Sequence, residues 1–340
     1  MKSWLFCFIF LFFVNSHSQN INGVENFILA SQEDQKTLVQ NYFNPLLSAL
    51  QISMGEAWVK SAKTHKKLGF DFTFSLSAIS IPENDLSFNN QIFNSLSSTP
   101  SYSPTIFGAE SSGNYLVEFY PPGSDYSIST SFEIPNGHND LLTRGRLLLP
   151  NLQFSIGMPF KTDLILRYMP EATNRGAKFK SMGLGIKHSI SQYFKVSKAT
   201  PFNFSILANS SSLEGGYNFG NSSQIPGEDQ SVDLRVVNYG LGVLGSLDLK
   251  LVSLYASITQ VYSKSSLSIN GSYRLNYEVS NDEIGTATFQ VEDPVSINNN
   301  LNFIRKNIGL AFNFAFYNLY VDYSFQRYNS VNLGVSLGLR

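Results

Sequence analysis

From residue 68 to the end of this chain, apolar and polar positions alternate with period two. Over residues 69–78, Phe70, Phe72, Phe74 and Leu76 share one face, opposite Asp71, Thr73, Ser75 and Ser77. Leu164, Leu166 and Tyr168 oppose Asp163, Ile165 and Arg167 in the same way. Ile308, Leu310, Phe312, Phe314 and Phe316 oppose Asn307, Gly309, Ala311, Asn313 and Ala315. The last ten residues repeat the pattern, Val331, Leu333, Val335, Leu337 and Leu339 forming the apolar side. Successive side chains of a strand point to opposite faces, so each run is a strand with one fully apolar side. Each is about ten residues long, which suits a tilted strand crossing a bilayer.

The pattern predicts an all-β protein, a transmembrane antiparallel β-barrel of 12–14 strands occupying residues 68–340. Twelve spans fall near 68–80, 146–157, 160–169, 179–191, 200–211, 230–246, 250–262, 267–279, 284–292, 303–316, 318–328 and 331–340. Residues 115–120 and 127–134 offer one further pair, whereas 267–292 also reads as an extracellular hairpin. An even count places both ends in the periplasm. Short turns at Met158-Pro159, 247–249 and Tyr317-Asn318 then face the periplasm. The connections 81–145, 170–178, 212–229 and 293–302 face outward, 81–145 being the long extracellular loop region. A soluble sandwich would share the period but turn its apolar face inward. Phe and Leu dominate the apolar faces, Ser, Gly and Asn the others, and the chain stops on such a strand; all three favour lipid.

Residues 31–67 break the rhythm. Leu38, Val39, Tyr42, Phe43, Leu46, Leu47, Leu50 and Met54 recur at three- and four-residue spacing, the mark of an amphipathic helix starting near Ser31. Asn44-Pro45 reads as a break into two helices, Asn44 capping the second. That second helix is expected to run past Trp58 and to end in the cationic stretch 60–67. A helical plug or hatch over 19–67 follows. Its apolar stripe, Phe43, Leu46, Leu47, Leu50, Met54 and Trp58, either packs permanently inside the barrel or meets a hydrophobic ligand. Lys60, Lys63, Lys66 and Lys67 also suit a helix lying on the inner leaflet.

Residues 1–18 have the form of a cleaved secretory signal, with Lys2, an apolar core from Trp4 to Val14 and small residues at Ser16 and Ser18. The chain's one cysteine, Cys7, lies in that leader, so the exported part holds no disulfide. Charged residues make up 14% of the chain and aromatics another 14%. That is few charges for a soluble domain, and no apolar run after residue 14 is long enough for a spanning helix. Net charge of −1 and an export signal exclude nucleic acid as a partner. The expected location is the outer membrane, with its lipid and, through the final strand, the barrel-assembly machinery as partners.

Three stretches, 57–85, 99–108 and 147–170, resemble an uncharacterised family of outer-membrane barrels from Bacteroidetes-type bacteria. They comprise the helix and first strand, the loop "PTIFG", and the hairpin from "LLLP" to "LRYMP". This resemblance covers most of the exported chain and implies a barrel without implying an activity. The order of helical segment first and barrel after is similar to FadL-like long-chain fatty-acid transporters. That similarity implies a plugged lumen and passive uptake or binding of hydrophobic small molecules.

Nothing in the chain points to catalysis, a metal or a cofactor. Outside the leader the histidines are His65, His138 and His188, and the neighbouring pair His188-Ser189 would point to opposite strand faces. Residues 82–143 hold seven acids (Glu83, Asp85, Glu110, Glu118, Asp125, Glu133 and Asp140) and no Lys or Arg. They read as a solvated loop or a cation-binding mouth. Asp71, Asp163, Arg167, Lys187, Arg235 and Asp322 are expected inside the lumen as ion pairs or, less simply, a selectivity filter. The competing function is a non-transporting scaffold or surface-binding barrel acting through its extracellular loops.

Overall fold

The computed structural model describes residues 23–138, 145–174, 177–194, 200–220, 223–280 and 285–339; the leader 1–18 and Asp140 lie outside the described residues. A 3-10 turn, Val24–Leu29, precedes helix α1, Gln32–Ser53. Strand β1 (Phe70–Ser80) opens the barrel. The long connection after it carries β2 (Ser87–Asn89), β3 (Leu96–Thr99), β4 (Tyr102–Pro104), β5 (Asn114–Phe119) and β6 (Ser127–Glu133). Then follow β7 (Arg146–Met158), β8 (Thr162–Asn174), β9 (Ala177–Ser189), β10 (Phe202–Asn218), β11 (Ser231–Asp248) and β12 (Val252–Asn270). A hairpin of β13 (Ser272–Ser280) and β14 (Gly285–Glu292) leads to β15 (Val295–Asn313), β16 (Tyr317–Phe325) and β17 (Ser330–Leu339).

Ten of these strands close an antiparallel barrel in the order β1-β17-β16-β15-β12-β11-β10-β9-β8-β7. The final strand seals it, Phe70 lying opposite Leu339 and Phe74 opposite Val335, while β1 pairs with β7 on its other edge. Ten replaces the expected twelve to fourteen for a local reason. β12 runs without interruption through the predicted 250–262 span to Asn270. At Gly271, whose φ of 102° suits only glycine, the chain leaves the wall. β13 and β14 then join β6, β5 and β3 in a separate five-stranded sheet, ordered β14-β13-β6-β5-β3. Likewise 295–302 lies in the wall as the start of β15 rather than in a loop.

In the lower part of the wall the apolar side faces out. Phe72, Phe74, Leu184, Leu241, Val243, Leu254, Ile308, Leu333 and Leu337 are all exposed on the barrel's outer surface. From Tyr239 to Leu247 on β11 this band spans eight rises of ~3.3 Å, about 20 Å once tilted, close to the ~25 Å apolar belt of membrane barrels. Phe160, Phe202, Phe314, Phe316 and Tyr317 ring the periplasmic end, as interfacial aromatics do.

Above that band the phase inverts. Val232, Leu234 and Val236 of β11, Leu267 and Ile269 of β12, and Val295 and Ile297 of β15 are buried inward. They join α1 and the inner face of the five-stranded sheet in one continuous core. The upper barrel is therefore built like a soluble protein, apolar within and polar without, because water surrounds it there. The sheet forms a cap over this end. Arg235 lies in the inverted zone, so it projects into solvent with 65% of its side chain exposed and faces Glu214, which also pairs with Lys180; it is not a lumen charge.

Helix α1 is unbroken across Pro45, which corrects the expected split. Ser31 caps its start, accepting from the Asp34 amide at 3.4 Å. Asn44 caps nothing; its Oδ1 accepts from Asn299 Nδ2 at 3.0 Å. Burial of Tyr42, Phe43, Leu47 and Leu50 outweighs the backbone bond that Pro45 omits. The helix stops at Ser53, short of Trp58.

Inside the lower barrel two tyrosine rings lie flat on glycines of adjacent strands, Tyr255 on Gly309 and Tyr320 on Gly334. A β-carbon at either glycine would overlap the ring. Gly309→Ala is expected to displace Tyr255 from its 2.9 Å bond to Asp322. The expected destabilisation is about 1–3 kcal/mol, read as a lower unfolding temperature of the detergent-solubilised barrel.

Candidate functional site

Residues 55–67 thread the lumen of the lower barrel with no strand or helix of their own. A polar lumen has no strand edge to offer such a chain, so side chains must satisfy its backbone. Arg167 donates from Nη2 to the Glu56 carbonyl at 2.7 Å, and Arg305 donates to the Gly55 carbonyl. Ser246 Oγ accepts from the Ala62 amide at 3.0 Å, and Ser205 Oγ donates to the Ala62 carbonyl at 2.5 Å. Lys187 Nζ donates to the Lys63 carbonyl at 2.9 Å, and Asp163 Oδ1 accepts from the His65 amide at 2.9 Å.

The segment's own charged groups complete the fit. Lys60 Nζ donates to Asp71 at 2.7 Å, Ser336 at 2.8 Å and Thr73 at 3.1 Å. The His65 ring bridges two carboxylates, Nδ1 to Asp163 at 3.0 Å and Nε2 to Asp71 at 2.8 Å. Lys187 meets Asp163 at 3.1 Å. Glu56 accepts from Ser324 at 2.8 Å, Asn332 at 2.6 Å and Gln326 at 2.6 Å. Beside it, Asp322 accepts from Tyr255, Asn307 and Asn332.

Trp58 is the apolar lock in this polar shaft. Its indole Nε1 donates to the Met54 carbonyl at 3.1 Å, and Arg167 stacks on its ring at 3.8 Å from the centroid. The ring presses on β9, where a β-carbon at Gly185 would come within 2.9 Å of it and one at Gly183 within 3.1 Å. Ala62, Ile165, Leu207 and Leu244 complete its pocket. The cavity that remains among Trp58, Lys60, His65 and Tyr320 measures about 20 Å³, room for a single water.

Of the lumen charges expected from sequence, Asp71, Asp163, Arg167, Lys187 and Asp322 are buried in the lumen, and the first four grip the threaded segment directly. The helical stripe divides. Phe43, Leu46, Leu47, Leu50 and Met54 pack into the upper core against the protein's own side chains, whereas Trp58 sits apart in the lower lumen. Glu56, Lys60, His65 and Arg305 are site residues that sequence reasoning assigned elsewhere or passed over. Arg305 was legible, since it shares the period-two face of Asn307, Gly309 and Ala311. Lys60 and His65 were masked by a helix-end reading of their lysine-rich neighbourhood.

The remaining candidates do not converge. His188 bonds Thr162 at 2.8 Å and Tyr193 at 3.0 Å at the lower rim, facing away from Ser189. His138 is buried under the cap, and that burial pushes its imidazole down from the ordinary value. The described acids of 82–143 are scattered; Asp85, for instance, accepts from Tyr328 and faces Arg327 at 3.7 Å.

Removing one member of a buried charge cluster leaves its partners uncompensated, at a cost of about 3–5 kcal/mol. Asp163→Asn is therefore expected to lower the unfolding temperature in detergent markedly and to expose residues 61–66 to protease. Arg235→Ala, in solvent, is expected to change neither readout.

No curated protein matches the chain. Among solved structures it is similar to the Escherichia coli outer-membrane transporter YddB at 13% identity, covering 78% of this chain and 41% of that one, with TM-score 0.32. The translocator domain of the autotransporter NalP from Neisseria meningitidis is 10% identical over 90% of this chain and 98% of its own, with TM-score 0.29. A Pseudomonas aeruginosa FadL homologue is 8% identical over 81% and 90%, with TM-score 0.21. The chain thus spans less than half of YddB. At these values the architecture rests on the strand register and the outward apolar band, and not on these likenesses. Over residues 1–339 the sequence matches a family of unknown function (DUF6588), and the chain, a plugged ten-stranded outer-membrane-type barrel, belongs to that family.

Proposed function

We propose that this protein acts at the cell surface, as a closed barrel that anchors an extracellular binding cap. One contrast carries the reading. The lumen beside Trp58 retains about 20 Å³, whereas a groove on the outer side of the cap encloses about 940 Å³. The groove is lined by Leu116 and Glu118 of β5, Tyr120 just after it, Ser129 and Ser131 of β6, and Glu278 of β13. Hydroxyls beside exposed Leu116 and Tyr120 suit a ligand with polar and apolar sides, and the two carboxylates favour a neutral or cationic one. The cap is held rigidly enough to present it. Asp34 of α1 accepts from the amides of Asn94 and Ser95 and from the Ser95 hydroxyl, and α1 is seated in the barrel core.

A second reading is passive uptake of hydrophobic small molecules, in the manner of FadL-like barrels. It is favoured by one observation. Residues 55–67 belong to no strand ladder, so they can withdraw without opening the wall. The two readings separate in a planar bilayer and in a deletion strain. A surface-binding barrel gives no steady conductance as the purified protein, and a strain lacking it takes up a long-chain fatty acid at the parental rate. Trp58→Ala combined with Arg167→Ala is expected to open conductance by removing the lock. Steady conductance of the unmodified protein, or slower uptake by the deletion strain, would sink the surface reading in favour of transport.

A further inference from the structure

We infer that the barrel holds the amino-terminal segment of its own chain at the cell exterior, so that this segment is a surface element reached through the lumen. The direction follows from the contacts taken in order. β1 starts at the periplasmic mouth, where the Leu68 amide donates to the Gly157 carbonyl at 2.8 Å beside the short turn to β8. Going back along the chain, the contacts climb the wall from the periplasmic mouth toward the cap. His65 reaches Asp71 and Lys60 reaches Thr73, one step up β1. Against β11, which descends from Ser231 to Asp248, Ala62 meets Ser246 and Gln51 meets Asn238.

Beyond the top of β11 the chain still climbs. The Asn26 side-chain Nδ2 donates to Gln224 Oε1 at 2.7 Å, in the connection between β10 and β11. Glu25 accepts from the Gln224 amide at 3.0 Å, and Tyr277 of the cap donates to the Leu29 carbonyl at 3.1 Å. Phe27 closes this contact against Phe132 of β6. Every one of these partners belongs to the end of the barrel that carries the cap and the long connections, which is the extracellular end. The docking is specific: Val24, Glu25, Phe27 and Ile28 are almost fully buried there and Glu25 has both oxygens bonded.

The polarity has consequences for how the plug works. The chain enters the described fold at Gly23 outside, descends through α1 and the threaded segment, and joins the wall at the periplasmic mouth. A periplasmic partner meets the plug near 63–69, where the chain turns into β1, whereas its upstream end is docked at the outer end of the barrel. The plug is thus fastened from above.

Cysteine labelling tests this directly, since the only native cysteine is Cys7 in the leader. Three single-cysteine proteins are compared: Gln32→Cys at the exposed start of α1, Leu116→Cys on the outer side of the cap, and Lys67→Cys at the lower mouth. The probe is a polyethylene-glycol maleimide too large to pass porins, applied to intact Gram-negative cells and to cells with a permeabilised outer membrane. Gln32→Cys and Leu116→Cys are expected to react fully in intact cells, and Lys67→Cys only after permeabilisation. Reaction of Leu116→Cys but not of Gln32→Cys in intact cells overturns the inference while leaving the surface-binding cap in place. Reaction of Lys67→Cys in intact cells, or of none of the three, overturns it by reversing or displacing the barrel.

Discussion

A polar chain inside a barrel is stable only if every charge and backbone group it carries finds a partner, and this constraint shapes the lower half of the molecule. Lipid surrounds the wall, and the polar groups that face away from it, shut off from water, must be satisfied within the lumen. Residues 55–67 resolve this by acting as solvent for the lumen. Lys60, His65 and Glu56 neutralise or accept from the wall's Asp71, Asp163, Asn332 and Ser324, while Arg167, Lys187 and Arg305 satisfy the segment's own carbonyls. The plug and the wall are therefore one polar network, and neither half is complete alone.

Above the membrane the constraint changes sign. Water on the outside lets the inner face become apolar, and α1, the upper strands and the cap sheet share a single core. The two halves hold the amino-terminal segment by different means, apolar burial above and charge pairing below. Trp58 stands at the change, pressed on Gly183 and Gly185 with Arg167 over its face. A molecule crossing this barrel would have to displace both kinds of contact.

The local sequence signals that misled are as instructive as those that held. Asn44-Pro45 has the form of a helix boundary, yet α1 continues because its flanks are buried on all sides and Asn44 is engaged by Asn299. The run of lysines after Trp58 has the form of a helix C-terminus, yet those residues form no helix, and carboxylates across the lumen hold Lys60 and His65. In both places long-range partners outweigh a propensity worth at most a few kcal/mol.

What the sequence determined by itself is that the wall is made of strands and which residues of each strand share a face. Alternation fixes both, because side-chain direction along a strand depends only on counting by two; Asp71, Asp163, Arg167, Lys187 and Asp322 were legible as inward for that reason. Tertiary structure alone decided the rest. Whether β13 and β14 belong to wall or cap, that Arg235 faces water, and that the chain descends through the lumen from the outer end all depend on pairings between residues far apart in sequence. Period two is the same for a strand in lipid and a strand in water, so only the surroundings of the folded wall tell the two apart.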